Sequence, residues 1–143
     1  MDLIRREGAD FAVNHSVPRY LDEVRAWTGG KGPNLIIEKL ANKNLAADMD
    51  LAAPYGRVVV VGNRGEISIN PRVAMTKELD IRGLQLWNAT ESTIATIMSD
   101  ILEGVGDGTL RPAVGREMPL AEAAAAHTAV LGTGNGGKLV LVP

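Results

Sequence analysis

The sequence predicts an α/β protein built on a doubly wound parallel sheet, on three grounds. First, Gly56-Arg57-Val58-Val59-Val60-Val61-Gly62 sets four consecutive valines between glycines, the pattern of a strand buried on both faces. Second, apolar strand segments alternate with helical patterns along the chain, a cadence that implies parallel strands joined by right-handed crossovers. Third, the valine run ends in Gly62, Asn63 and Arg64. These residues stand beyond the carboxyl end of a strand, the edge where open α/β sheets bind ligands.

The elements follow in order. Met1–Glu7 reads as the last turns of a helix, with Gly8 as its C-cap. Phe11–Asn14 is a short strand, and Pro18 opens a helix over Arg19–Trp27 with Leu21, Val24 and Trp27 on one face. Gly29, Gly30 and Gly32 break it before a second buried strand, Asn34–Glu38. Asn44–Ala52 is helical, with Asn44 as N-cap. Pro54-Tyr55-Gly56 turns the chain into the valine strand. A short helix over Pro71–Lys77 has Asn70 before a proline at its first position. Leu79–Leu86 is a fourth strand, and Ile94, Ile97, Met98, Ile101 and Leu102 mark one face of a helix over Glu91–Glu103. Gly104, Gly106 and Gly108 then mark a boundary. Arg111–Glu117 is a mixed polar strand, Pro119–Leu131 an alanine-rich helix, Gly132–Gly137 a surface loop and Lys138–Val142 a closing strand.

Composition narrows the possible functions. The chain has 143 residues, 45% hydrophobic and 22% charged, with a formal net charge of −2. Those values suit an ordinary globular chain and imply no general attraction to nucleic acid or an anionic membrane. Absence of cysteine excludes disulfides, thiolate metal sites and cysteine nucleophiles. The two histidines, His15 and His127, lie far apart in sequence and show no metal-ligand spacing. Aromatic residues make up 3% of the chain, too few for a base-stacking platform. No apolar run approaches the roughly 20 residues of a membrane span. The N-terminus carries no apolar signal segment, so the expected location is the cytoplasm.

A glycine-rich turn between a strand and a helix, the usual pyrophosphate cradle, does not precede Phe11. The cluster Gly132–Gly137 leads into a strand instead of a helix, so it fails the context of that fingerprint. Other blocks carry a resemblance. Gly8-Ala9-Asp10, Val13-Asn14-His15, Ile36–Leu45, Gly56–Gly65, Ile69-Asn70-Pro71-Arg72, Leu110-Arg111-Pro112, Pro119-Leu120, Ala125-Ala126-His127 and Gly136-Gly137-Lys138-Leu139 closely resemble the zeta-crystallin-like quinone oxidoreductases. These form a zinc-free branch of the medium-chain dehydrogenase/reductase superfamily. The resemblance covers essentially the whole chain. It is specific to that branch because Ala41-Asn42-Lys43-Asn44 is not a general feature of the superfamily.

The resemblance implies a partial Rossmann-like doubly wound sheet lacking its first two strands, plus a C-terminal strand-helix-strand segment. Residues 1–108 would be a partial dinucleotide-binding domain, and residues 109–143 would pack on a catalytic domain upstream of Met1. The implied activity is NADPH-dependent quinone reduction without a metal. The nicotinamide carries the chemistry, and no catalytic acid is expected within this chain. Without the glycine-rich turn the chain alone would bind dinucleotide weakly or not at all. The alternative is a non-enzymatic interaction module. Either way, missing strands leave open edges that invite association with a second copy.

The implied cofactor contacts are His15 on the adenosine side, Asn44, then Val61, Gly62, Asn63 and Arg64 near the nicotinamide ribose, and Leu84, Gln85 and Leu86 near the nicotinamide. Lys138 is a weaker candidate. Glu38 reads as a structural carboxylate that caps or pairs near the sheet end, and His127 as a packed or capping histidine. Neither membrane nor nucleic acid is expected as a partner. RNA binding, suggested by some members of the branch, finds no support in charge or aromatic content.

Overall fold

The structure is a computed structural model that describes residues 2–132 and 136–143. Residues 9–89 form one compact unit, and residues 2–8 with 90–143 form a second.

The first unit is built on three parallel strands in the order β1-β2-β3: β1 (Leu35–Glu38), β2 (Arg57–Val60) and β3 (Asp80–Gly83). Helix α2 (Tyr20–Trp27) precedes β1, α3 (Ala41–Leu51) joins β1 to β2, and α4 (Pro71–Lys77) joins β2 to β3. Residues in register share a face of a parallel sheet. Ile36, Val58 and Ile81 therefore lie on one side with Glu38 and Val60, while Leu35, Ile37 and Val59 lie on the other. Helix α3 covers the first side, where Val58 is 0% exposed. On the other side Leu35 and Ile37 are 54% and 65% exposed. The valine run is thus not buried on both faces: Val58 is enclosed, Val59 and Val60 are half-buried and Val61 is exposed.

Several boundaries differ from the sequence reading for physical reasons. Phe11–Asn14 is irregular chain, not a strand. In a doubly wound sheet of order 3-2-1-4-5-6 the third strand pairs only with the second, and no strand among the described residues stands beside this segment. Its apolar side chains are used otherwise: Phe11 stacks on Trp27 with ring centroids 5.3 Å apart, and Ala12 is buried. Pro18 lies in a turn, and Arg19, in the left-handed region at φ 66°, precedes the first residue of α2. Helix α3 starts at Ala41, a turn before Asn44, so Asn44 is not its cap. The third paired strand stops at Gly83, and Leu84, Gln85 and the 3-10 turn Leu86–Asn88 lie beyond it. By contrast, α4 has the anticipated bounds, and Asn70 Oδ1 accepts from Arg72 N at 3.1 Å.

In the second unit, α1 (Asp2–Arg6) ends before Gly8, which is left-handed at φ 98°. Helix α5 (Glu91–Gly106) is capped by Thr90, whose hydroxyl accepts from Thr93 N at 3.2 Å. It runs through Gly104, where a boundary was expected. Here glycine serves close approach: an added Cβ would lie 2.9 Å from the Leu110 side chain, and Leu110 N donates to the Gly104 carbonyl at 2.7 Å. Strands β4 (Val114–Pro119) and β5 (Lys138–Val142) pair in parallel, with a 3-10 turn over Leu120–Glu122 and helix α6 (Ala123–Ala129) between them. The order is the expected strand-helix-strand, but the strand runs through Pro119, where a helix was expected to start, and the helix begins at Ala123 and ends at Ala129. Of the expected loop Gly132–Gly137, Thr133, Gly134 and Asn135 lie outside the described residues.

Helix α3 has no basic residue in its own last turn, yet its carbonyl end is capped by cations from its neighbours. Lys77 of α4 donates from Nζ to the carbonyls of Met49, Asp50 and Ala52 at 3.1, 2.7 and 2.8 Å, and Arg25 of α2 donates to the Asp50 carbonyl at 2.8 Å. A cation at a helix C-terminus satisfies orphan carbonyls and complements the dipole. Lys77→Met keeps the aliphatic stem and removes all three bonds. It is expected to lower stability by about 2 kcal/mol, read as a reduced midpoint in urea denaturation.

Candidate functional site

The carboxyl ends of β1, β2 and β3 meet in a set of turns tied to one residue. Glu38, the last residue of β1, is 7% exposed. Its backbone carbonyl accepts from Val61 N at 2.8 Å and Gly62 N at 3.3 Å, which brings the turn after β2 onto the end of β1. Its side chain turns the other way: Oε1 accepts from Leu40 N, and both oxygens accept from Asn44 Nδ2 at 3.2 Å. The Gly62 carbonyl in turn accepts from Ala41 N, the first residue of α3, at 3.1 Å. Glycine is required at 62 because a Cβ there would lie 2.3 Å from the Lys39 carbonyl oxygen. Further out, Asn42 Oδ1 accepts from Arg64 N at 3.1 Å, and Asn63 Nδ2 donates to the Gly65 carbonyl at 2.7 Å. Backbone and amide groups therefore hold the ledge, leaving the Arg64 side chain exposed beside it.

A cleft of about 490 Å³ opens between the turns after β2 and β3, lined by Val60, Val61, Gly62, Asn63, Gly83, Leu84, Gln85 and Asn88. Leu84 N donates to the Val60 carbonyl at 2.9 Å and closes its floor. The cleft brings together Val61, Gly62, Asn63, Leu84 and Gln85 of the residues singled out from sequence. Arg64 adjoins it in the chain. Leu86 begins the following 3-10 turn and is not part of the lining. Asn44 stands behind the ledge on Glu38, and His15 lies in an exposed turn outside the lining. Lys138 and His127 belong to the second unit, where His127 Nδ1 is 2.9 Å from the Ala123 carbonyl.

Sequence reasoning missed Asn42, Asn88 and Asp48. Asp48 lies one helical turn beyond Asn44 on α3, hence on the face that meets Glu38, and is 8% exposed. Its position four residues after Asn44, beside the core residue Met49, was the available signal. Burial, followed by a hydrogen bond to Glu38 and repulsion from it, pushes the Asp48 carboxyl up to about 7.

A parallel sheet whose carboxyl ends open a cleft defines the class, a Rossmann-like nucleotide-binding fold of the medium-chain dehydrogenases and reductases. The chain belongs to the zinc-binding dehydrogenase family, whose model matches residues 7–141. Quinone oxidoreductases of Rattus norvegicus and Homo sapiens are 40% and 38% identical to it over 141 residues, which cover 98% of this chain and 43% of each relative. The chain thus spans less than half the length of these relatives. Among solved structures, AibC aligns over 99% of this chain and 41% of its own at 32% identity with a TM-score of 0.82. An NAD-dependent alcohol dehydrogenase aligns over 99% and 41% at 28% identity with a TM-score of 0.81. The zinc in the family's description finds no matching donor set here. The chain has no cysteine, and among the described residues no group of three or more His, Asp or Glu side chains could hold a metal. Among them, too, no helix is long and apolar enough to cross a membrane.

Two outcomes follow. Gly62→Ala forces the turn off the Lys39 carbonyl and is expected to cost about 2 kcal/mol in chemical denaturation. The folded chain also holds a proton on Asp48 that the unfolded chain releases at about 4. The Asp48 contribution to stability is therefore full below about pH 4, declines as pH rises through about 7, and is lost above that. Asp48→Asn should flatten that decline and raise stability at pH 8 by about 2 kcal/mol, measured as urea midpoints across pH.

Proposed function

We propose that this chain is the nucleotide-binding, C-terminal portion of an NADPH-dependent quinone reductase, inactive by itself. The observation that carries the reading is the cleft that unites Val61, Gly62 and Asn63 with Leu84 and Gln85 beyond the carboxyl ends of parallel strands, where such sheets take nucleotides. The similarity to quinone oxidoreductases supports the choice of reaction. The nicotinamide, once bound, supplies the reducing equivalents.

The chain's own residues then have orienting roles. Gly62 lets backbone approach the ribose closely, and the amide of Asn63 offers it a donor and an acceptor. Leu84 and Gln85 present backbone groups to the nicotinamide, and the free fork of Arg64 suits a phosphate or carboxylate oxygen. His15 would serve the adenosine side, and Asn44 would contact the cofactor. None of these residues is asked to act as acid, base or metal ligand. The quinone would lie between this portion and a catalytic domain. Preference for NADPH over NADH rests on the resemblance alone, because the contact that selects the 2′-phosphate follows the second strand of such a sheet. A cytoplasmic location belongs to the same reading.

The exposed apolar pair Leu35 and Ile37 on the uncovered face of β1 favours a second reading beside it, that of a module which associates with a further copy. Among the described residues β3 pairs only with β2, so its outer edge offers a route to edge-to-edge pairing.

Nuclear magnetic resonance with NADPH at millimolar concentration tests the first reading. The amides of Asn44, 61–64 and 84–86 are expected to shift, with no turnover of phenanthrenequinone. Shifts confined to residues away from the ledge would refute it. Light scattering after size exclusion should give a mass above that of one chain; a single-chain mass rules out association.

A further inference from the structure

Among the described residues, Glu38 and Asp48 are the two buried charged groups; Asp48 lies one turn along α3 from Asn44, which binds Glu38, and is within hydrogen-bond reach of the same carboxyl group. Oδ2 of Asp48 is fully enclosed and has no hydrogen-bond partner as an acceptor. An ionised carboxylate can only accept, but a carboxylic acid can donate. The acceptor within reach is Glu38, whose oxygens already gather the Leu40 N–H and the Asn44 amide. A proton between the two carboxyl groups therefore satisfies the orphaned oxygen and removes one of two like charges from a dry site.

Four cations on surrounding elements are engaged elsewhere. Lys77 of α4 and Arg25 of α2 bind carbonyls at the end of α3. Arg57 at the start of β2 pairs with Asp80 of β3 at 2.7 Å, and Arg82 of β3 also pairs with Asp80. Glu38 is left as the group that answers Asp48.

We propose that Glu38 and Asp48 are positioning residues that act as one unit, their shared proton holding Asn44 and the Gly62 turn in the form that receives a ligand. The inference rests on the ledge being the nucleotide site. When the proton leaves, two negative charges face each other in a buried space. The side chain of Glu38 then relieves the repulsion by withdrawing, which frees Leu40 N–H and the Asn44 amide and loosens the turn hung on its carbonyl.

A pH titration of the nucleotide-free chain by nuclear magnetic resonance from pH 5 to 9 tests this. The Asn44 side-chain amide and the Gly62 backbone amide should move in a single step near pH 7, coincident with the Asp48 carboxyl carbon. Protection of the Leu40 amide, corrected for intrinsic exchange, should fall about tenfold across the step. Asp48→Asn, which still offers a donor to Glu38, should abolish the step, and Glu38→Gln should move the Asp48 titration to lower pH. Flat Asn44 and Gly62 signals in the native chain, or an unchanged step in Asp48→Asn, overturns the proposal. If Asp48→Asn does not fold, an unmoved Asp48 titration in Glu38→Gln does the same. A step that is present while millimolar NADPH shifts only residues away from the ledge sinks the nucleotide reading and not the carboxyl pair.

Discussion

Everything at the cleft depends on how closely the turn after β2 approaches the end of β1. Two backbone N–H groups, of Val61 and Gly62, converge on the single carbonyl of Glu38. The approach is so tight that no side chain fits at 62. A buried carbonyl that collects two donors is well satisfied, and the two turns move as one. The side chain of the same residue reaches back to the start of α3, so strand end, helix start and neighbouring turn share one anchor.

That anchor explains why so short a sheet positions a site. Each strand of the first unit has only four residues, and one face of β1 carries exposed apolar side chains. The carboxyl edge is nonetheless tied by side chains and by backbone bonds between its turns as well as by the ladder. Lys77 fastens α4 to the far end of α3, and Glu38 fastens β1 to its near end. Helix α3 is thereby held at both termini by groups that lie outside it.

The parallel sheet, the helix at Pro71–Lys77 and the ledge after the valine strand were legible because each rests on local chemistry: a β-rich apolar run, a proline after an asparagine cap, a glycine after a strand. Phe11–Asn14 was misread because being a strand depends on a partner, which no local pattern encodes. Gly104 was misread because glycine marks close packing as readily as a break, and only the position of Leu110 tells them apart. Asn44 looked like a cap since its amide suits one; in the fold the same amide serves Glu38. The partnership of Glu38 with Asp48 joins a strand end to the third turn of a helix and is invisible until the helix is placed.

Strand β3 ends at Gly83, and its last ladder bond runs from Leu84 N to the Val60 carbonyl. Main chain thus sets the bottom of the cavity, whereas its sides are loop residues that no sheet pairing constrains. Substitutions at Asn63, Gln85 or Asn88 can therefore reshape what the cavity admits while the framework beneath keeps its folding energy.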